Sequence, residues 1–153
     1  MDHGMKAAEL FLSGYNCAQA VAVAFHGELG LTEKQAARMA SAFGGGMGRM
    51  REVCGAVSGM LTVLGLLYGY TEPGEGDCNK KEHYRVVQEL AGQFREEVGS
   101  IVCREILKNP PSDPNPTPRT AEFYAKRPCA RMVMTAARIL DEYIETHPLE
   151  KLP

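Results

Sequence analysis

The sequence predicts an all-α protein: a compact, single-domain helical bundle of about six helices with an apolar, glycine-rich central helix. Apolar residues recur at helical spacing along most of the chain, and alternating strand patterns are nearly absent. Glycine, proline and capping residues separate the helical segments. The 153 residues suffice for one hydrophobic core, so we expect a single helical domain over residues 1–153.

The first three predicted helices have recognisable starts and stops. Residues 5–13 form the first helix, which ends at the sequence SGYN. Asn16 is then a suitable N-cap for a second helix that ends near residue 25. Thr32 opens a third helix that ends near residue 43.

A glycine-rich loop comes next and leads into the most apolar part of the chain. The sequence FGGGMGRMREVCGAVSG, residues 43–59, contains six glycines, and residues 53–71 carry no charge. An apolar helix of this length lies either at the centre of a soluble bundle or across a membrane. Because residues 53–71 contain four glycines and the other helices are amphipathic, we expect a central helix and no membrane span.

The second half of the chain contains a long helix, a Pro-rich loop and a final helix. The long helix is amphipathic and runs from residue 79 or 80 to about residue 98, and Ser100 is the expected cap of a short helix in IVCREIL. Residues 108–120 contain five prolines and are predicted to be an irregular loop within the domain. A loop of this length is usually functional or disordered. The last helix begins at Cys129, after Pro128, and ends near residue 146.

Composition excludes several classes of function. The net charge is −2, aromatic residues make up 7% and tryptophan is absent, so we expect no nucleic-acid partner. No basic start precedes a long apolar run at the N-terminus, which predicts no secretory signal and a reducing, cytoplasmic location.

The sequence also excludes a P-loop nucleotide site and the common histidine-containing metal motifs. The glycine loop lacks the GK[ST] ending of a P-loop, and no strand precedes it. The four histidines are scattered and form neither an HExxH nor an ExxH motif: His3, His26, His83 and His147. His26 and His147 lie near predicted helix C-termini, where a cation is favourable, and no role is expected of His83.

Cysteines are the best candidates for chemistry. No two of the five form a CxxC pair, which excludes zinc-ribbon, thioredoxin and c-type haem signatures. Four lie in the first turn of predicted helices, where free N–H groups and the helix dipole favour a thiolate: Cys17, Cys54, Cys103 and Cys129. If these helix starts converge, they form one electropositive, sulfur-rich site. Cys78, in the turn GEGDCNKK, is expected to be an ordinary free cysteine without a role.

Basic residues flank three of these four cysteines. They are Arg49 and Arg51 near Cys54, Arg104 beside Cys103, and Lys126, Arg127 and Arg131 around Cys129. Positive charge lowers the pKa of a nearby thiol. We therefore expect Cys54 and Cys129 to be the more nucleophilic thiols.

The cysteine pattern resembles a known family. Cys17 is followed by CGAVSG at residues 54–59, by GSIVCREIL with Cys103, and by RPCARMV with Cys129. This order is similar to that of the C_GCAxxG_C_C family of small redox-active proteins. By resemblance, the four family cysteines fall on Cys17, Cys54, Cys103 and Cys129, and the motif glycines on Gly55 and Gly59. The resemblance implies redox activity and names no substrate.

Two redox mechanisms fit this pattern. In the first, two of the four cysteines form a reversible disulfide and exchange it with an unidentified redox partner protein, which leaves open whether the chain is an oxidoreductase-type enzyme. In the second, all four cysteines ligate a metal centre, such as a [2Fe–2S] cluster or another metal ion, and the protein transfers electrons. The cofactor-binding residues would then include Gly55, Gly59, Arg49 and Arg51. A structural zinc site is the weaker variant, because such sites usually use close CxxC pairs.

A third interpretation is a non-catalytic helical interaction module. Gly55 and Gly59 form a GxxxG pattern, which favours close helix packing. The packing partner is either another helix of the same domain, the interpretation we favour, or a second chain, as in a homodimer.

Overall fold

The computed structural model describes residues 2–73 and 77–149, with only the backbone of Asp77 and Cys78. Within these residues the fold is all-α, as predicted, with eight right-handed α-helices and no β-strand. They are α1 (His3–Leu12), α2 (Cys17–Ala24), α3 (Glu33–Ala40), α4 (Gly55–Tyr68), α5 (Asp77–Val98), α6 (Cys103–Ile106), α7 (Ala121–Lys126) and α8 (Cys129–Thr146). Six have eight or more residues, which agrees with the predicted number.

The second and third helices begin at the predicted caps. Asn16 accepts a hydrogen bond from the backbone N–H of Gln19 at 2.8 Å, and the side chain of Gln19 accepts one from the N–H of Asn16 at 3.2 Å. Thr32 and Gln35 make the same reciprocal pair at the start of α3. These capping boxes satisfy N–H groups that the first turn of a helix leaves free. They therefore fix where α2 and α3 begin.

Helix α4 is the central apolar helix. It packs against α2, α5 and α8, and α1 packs against α2 and α8. The GxxxG glycines allow α2 to lie unusually close, because a Cβ atom on Gly59 would sit 2.7 Å from the carbonyl oxygen of Ala18. The small face therefore packs within the domain, as we favoured. No helix in residues 2–73 or 77–149 is both long enough and apolar enough to cross a membrane.

Several predicted boundaries differ from the observed ones by a few residues, as in α1, which spans His3–Leu12 rather than residues 5–13. Helix α6 begins at Cys103 with Val102 as its N-cap, because the Ser100 hydroxyl accepts the N–H of Val102 at 3.0 Å in a local turn before the helix. Helix α5 begins at Asp77, so the backbone of Cys78 is helical rather than in a turn. The side chain of Cys78 and residues 74–76 lie outside the described residues.

His3, which belongs to no sequence motif, connects three parts of the fold. Its side chain is buried and stacks on Phe25 with 4.1 Å between ring centres. Its Nδ1 lies 2.6 Å from Oδ1 of Asp141 in α8, and its Nε2 lies 2.7 Å from Oε1 of Glu28 after α2. The start of α1 is thereby held against the end of α8.

Candidate functional site

Four helix starts converge on one cavity. Cys17, Cys103 and Cys129 are the first residues of α2, α6 and α8, and Cys54 is the N-cap of α4. All four cysteines line a cavity of about 290 Å³. They are free thiols; Cys17 is half-buried and the other three are buried. The convergence that the sequence predicted conditionally is therefore present.

A short backbone pairing brings Cys54 and Cys103 to this cavity. Val53 and Val102 form an isolated antiparallel bridge. On either side of it, the N–H of Cys54 donates to the carbonyl of Ile101 at 2.7 Å, and the N–H of Cys103 donates to the carbonyl of Glu52 at 2.6 Å. Two segments that are distant in sequence are thus joined directly beside the thiols.

The glycine loop is a left-handed turn that forms part of the cavity wall. Every residue from Gly45 to Arg49 has a positive φ, between 58° and 74°. Such a turn disfavours residues with a Cβ atom, which explains the density of glycine. Gly46 also lies so close to α6 that a Cβ atom there would be 2.8 Å from the Cβ of Cys103. The glycines therefore serve backbone shape and close approach.

Arg51 is buried in the cavity wall and contacts a thiol. Only 5% of the residue's surface is exposed. Its Nη1 lies 3.7 Å from Sγ of Cys103, and its Nε donates to the carbonyl of Pro111 at 2.9 Å. Arg104, the sequence neighbour of Cys103, instead points outward and pairs with Glu52 at 2.6 Å. The cation that contacts Cys103 is therefore not the adjacent one.

The Pro-rich loop is irregular, as predicted, and covers one side of the cavity. Pro114, Pro116 and Thr117 are among the residues that line it. Arg49 holds this loop in place: its Nε donates to the carbonyl of Asp113 at 2.8 Å and its Nη1 to Oγ1 of Thr117 at 2.8 Å. The loop therefore depends on the glycine turn that carries Arg49.

Cys17 and Cys129 begin two helices that pack against each other, they line the same cavity, and each thiol changes the pKa of the other. The Cys17 side chain lowers the pKa of Cys129, and the guanidinium charges of Arg127, Arg119 and Arg51 lower it further against the opposing effect of burial. The Cys129 side chain raises the pKa of Cys17 well above its ordinary value, and burial adds to that increase. Of the two thiols, Cys129 therefore loses its proton more readily.

The surroundings of Cys54 do not favour the nucleophilic thiol that the sequence predicts there. Burial raises the pKa of Cys54 to about 12, despite the opposing hydrogen bonds from the N–H groups of Ala56 and Val57. The expected cations do not reach it, because Arg51 contacts Cys103 and Arg49 contacts the Pro-rich loop. Burial therefore disfavours the thiolate form of Cys54.

Three of the four residues predicted to bind a cofactor line the cavity: Gly55, Arg49 and Arg51. Gly59 instead packs on Ala18, and Gly55 lies close enough to α2 that a Cβ atom there would be 3.1 Å from the Cβ of Cys17. Among the described residues, no three His, Cys, Asp or Glu side chains are grouped as metal ligands. Ligation by all four cysteines stays a prediction.

Arg119 is a site residue that the sequence did not reveal. It lines the cavity from the end of the Pro-rich loop and lies over the ring of Phe11 at 4.5 Å. Its guanidinium also donates to the carbonyls of Phe11 and Tyr15 at 3.2 and 3.1 Å. In the sequence, the only indication of this role is the length of the Pro-rich loop, because Arg119 contacts residues that are distant along the chain.

A family model described as "Putative redox-active protein (C_GCAxxG_C_C)" matches residues 15–143, which is most of the chain. The matched range contains all four cavity cysteines and the CGAVSG sequence. The chain belongs to this family, which confirms the resemblance. No curated protein and no solved structure matched the chain.

Proposed function

We propose that the protein exchanges disulfides through Cys17 and Cys129, with Cys129 as the attacking thiolate. The observation that carries this proposal is the position of both thiols at the starts of two packed helices, on one cavity that four arginines also line. A thiolate next to a second thiol is the arrangement that thiol–disulfide exchange requires. Family membership supports a redox role and does not specify the mechanism.

The exchange takes two steps. The Cys129 thiolate attacks one sulfur of a substrate disulfide, a mixed disulfide forms, and the first substrate thiolate leaves and takes up a proton. Cys17 then loses its proton and attacks Sγ of Cys129, which releases the second substrate thiol. One substrate disulfide gains two electrons and two protons, and the protein gains a Cys17–Cys129 disulfide.

The other two cavity cysteines support the pair in this proposal. The high pKa of Cys54 keeps it protonated, so it is a poor nucleophile. The Sγ atom of Cys103 lies 3.7 Å from Nη1 of Arg51 and holds that guanidinium against the cavity wall. Both are therefore expected to stay reduced while Cys17 and Cys129 cycle.

Serine substitution of each cysteine tests these assignments. Reduced protein is mixed with bis(2-hydroxyethyl) disulfide, and free thiols are counted before and after the reaction. We expect the native chain to lose two thiols, Cys17→Ser to stop at a mixed disulfide on Cys129, and Cys129→Ser to react slowly. The matched controls Cys54→Ser and Cys103→Ser should still lose two thiols. Loss of exchange in a control, with normal exchange in Cys129→Ser, would refute the assignment.

The same reduced sample distinguishes the metal alternative. An anaerobic ultraviolet–visible spectrum with metal analysis should show no stoichiometric iron or zinc if the thiols cycle as a pair. One cluster or ion per chain would replace this proposal with ligation by the four cysteines. The interaction-module alternative has lost its expected surface, because the GxxxG face is covered by α2.

A further inference from the structure

The cavity wall around the thiols is cationic. Four arginines line it, and no Asp or Glu of the described residues does: Arg49, Arg51, Arg119 and Arg127. Of these four, only Arg49 has a carboxylate within 4.0 Å in the described parts of the chain, at 3.9 Å from Asp113. The positive charge of the four arginines therefore exceeds the negative charge that nearby carboxylates of the described residues supply.

Two of these arginines are placed for a ligand. Arg51 is buried, and its hydrogen bonds go to a neutral carbonyl and to the Cys103 sulfur. Arg127 lies over the ring of Phe123 at 5.3 Å and close enough to lower the pKa of Cys129. A buried cation without a counter-ion is unfavourable, and an anionic ligand would remove that cost. One thiolate on Cys129 balances only one of the charges.

Much of the remaining wall is apolar, its other polar side chains are uncharged, and the space is small. The apolar lining includes Phe11, Ile106, Leu107, Phe123 and Met132. A volume of about 290 Å³ is close to the lower end of small-molecule sites and too small for a folded partner. This combination fits a short aliphatic body with an anionic end.

We infer that the substrate is a small disulfide with carboxylate groups, bound through Arg51 and Arg127 with its sulfur–sulfur bond toward Cys129. This inference rests on the proposed exchange at Cys17 and Cys129 and adds the class of substrate. The electron balance is that of the exchange: the small disulfide becomes two carboxylate-bearing thiols, and the protein gains one disulfide.

Three disulfides of similar length and different charge test this inference. They are 3,3′-dithiodipropionate with two negative charges, bis(2-hydroxyethyl) disulfide with none, and cystamine with two positive charges. The rate with reduced full-length protein is divided by the rate with dithiothreitol, which corrects for intrinsic reactivity. We expect a normalised preference of about tenfold for the anion over the neutral compound at low salt. The preference should shrink as ionic strength rises.

A pair of arginine variants locates the source of the preference. Arg127→Gln should reduce the anion-to-neutral ratio toward one, and the ratio cancels any general loss of Cys129 reactivity. Arg131→Gln is the matched control, since Arg131 is exposed on α8, only two residues after Cys129, and does not line the cavity. It should keep the native ratio.

The outcomes separate the two proposals. Exchange through Cys17 and Cys129 with a normalised ratio near one would overturn the substrate inference and leave the proposed function intact. A preference that Arg127→Gln keeps would also overturn the inference. Failure of the native protein to exchange with any of the three disulfides would overturn the proposed function itself.

Discussion

Substitution of Gly46 by alanine tests how tightly the glycine turn is packed on the cysteine site. Gly46 has a φ of 74°, and a Cβ atom there would lie 2.7 Å from the backbone nitrogen of Glu52 and 2.8 Å from the Cβ of Cys103. Gly48 provides a matched control on the same turn. Its φ is 58°, but the nearest atom to an added Cβ is the carbonyl oxygen of Ala42, at 3.9 Å.

The two variants should differ by the cost of the contact. Both place alanine in the left-handed region, which costs about 1–2 kcal/mol and is partly offset by the lower entropy of the unfolded chain. Gly46→Ala adds overpacking against the backbone of Arg51 and Glu52 and against the Cβ of Cys103, at about 1–3 kcal/mol. We therefore expect losses in unfolding free energy of about 1 kcal/mol for Gly48→Ala and about 2–4 kcal/mol for Gly46→Ala.

Urea unfolding of the reduced protein measures both losses. A second readout is the alkylation rate of Cys103, which should rise in Gly46→Ala and stay native in Gly48→Ala, because only the first substitution pushes on α6. Equal losses in the two variants, within about 0.5 kcal/mol, would refute the argument that Gly46 is required by its contact with Cys103.

Three further predictions follow from individual contacts. In urea unfolding, Gly59→Ala should destabilise the protein by about 1–2 kcal/mol, because the added Cβ atom meets the backbone of α2. Gly65→Ala has open space around the added atom and should stabilise the protein by about 0.5–1 kcal/mol. Changes of the same sign in the two variants would contradict the close packing of Gly59 on α2. Arg49→Gln should release the Pro-rich loop and speed its cleavage by a protease, and unchanged cleavage would show that other contacts hold the loop. Alkylation of Cys129 should rise with pH and reach half its maximum below the pH at which a free cysteine does, because its pKa is lowered. Cys17→Ala should move that midpoint upward, and an unmoved midpoint would contradict the effect of Cys17 on the pKa of Cys129.

Local sequence signals predicted the helix starts well. Capping residues placed the start of α2, and Pro128 placed the start of α8. Four cysteines in first turns could therefore be recognised without any structure. Their meeting at one cavity could only be stated as a condition, because it depends on the Val53–Val102 bridge and on a left-handed turn that no helix periodicity encodes.

The electrostatics were harder to predict than the fold. Distance along the chain suggested that Arg51 would serve Cys54, whereas its side chain reaches Cys103, and burial dominates the pKa of Cys54. Arg119 lies ten residues before Cys129 and still lowers the pKa of that thiol. Side-chain direction and desolvation are set by tertiary packing, so neighbours in sequence were a poor guide to the charge near each sulfur.

The most direct test of the account is to identify which cysteines join on oxidation. Reduced protein is treated with one equivalent of a small disulfide, quenched in acid, alkylated and digested with trypsin. Cys17 and Cys129 fall on separate tryptic peptides, residues 7–34 and 127–131, and Cys54 and Cys103 on residues 52–80 and 96–104. We expect a cross-link between 7–34 and 127–131. A dominant cross-link between 52–80 and 96–104 would contradict it.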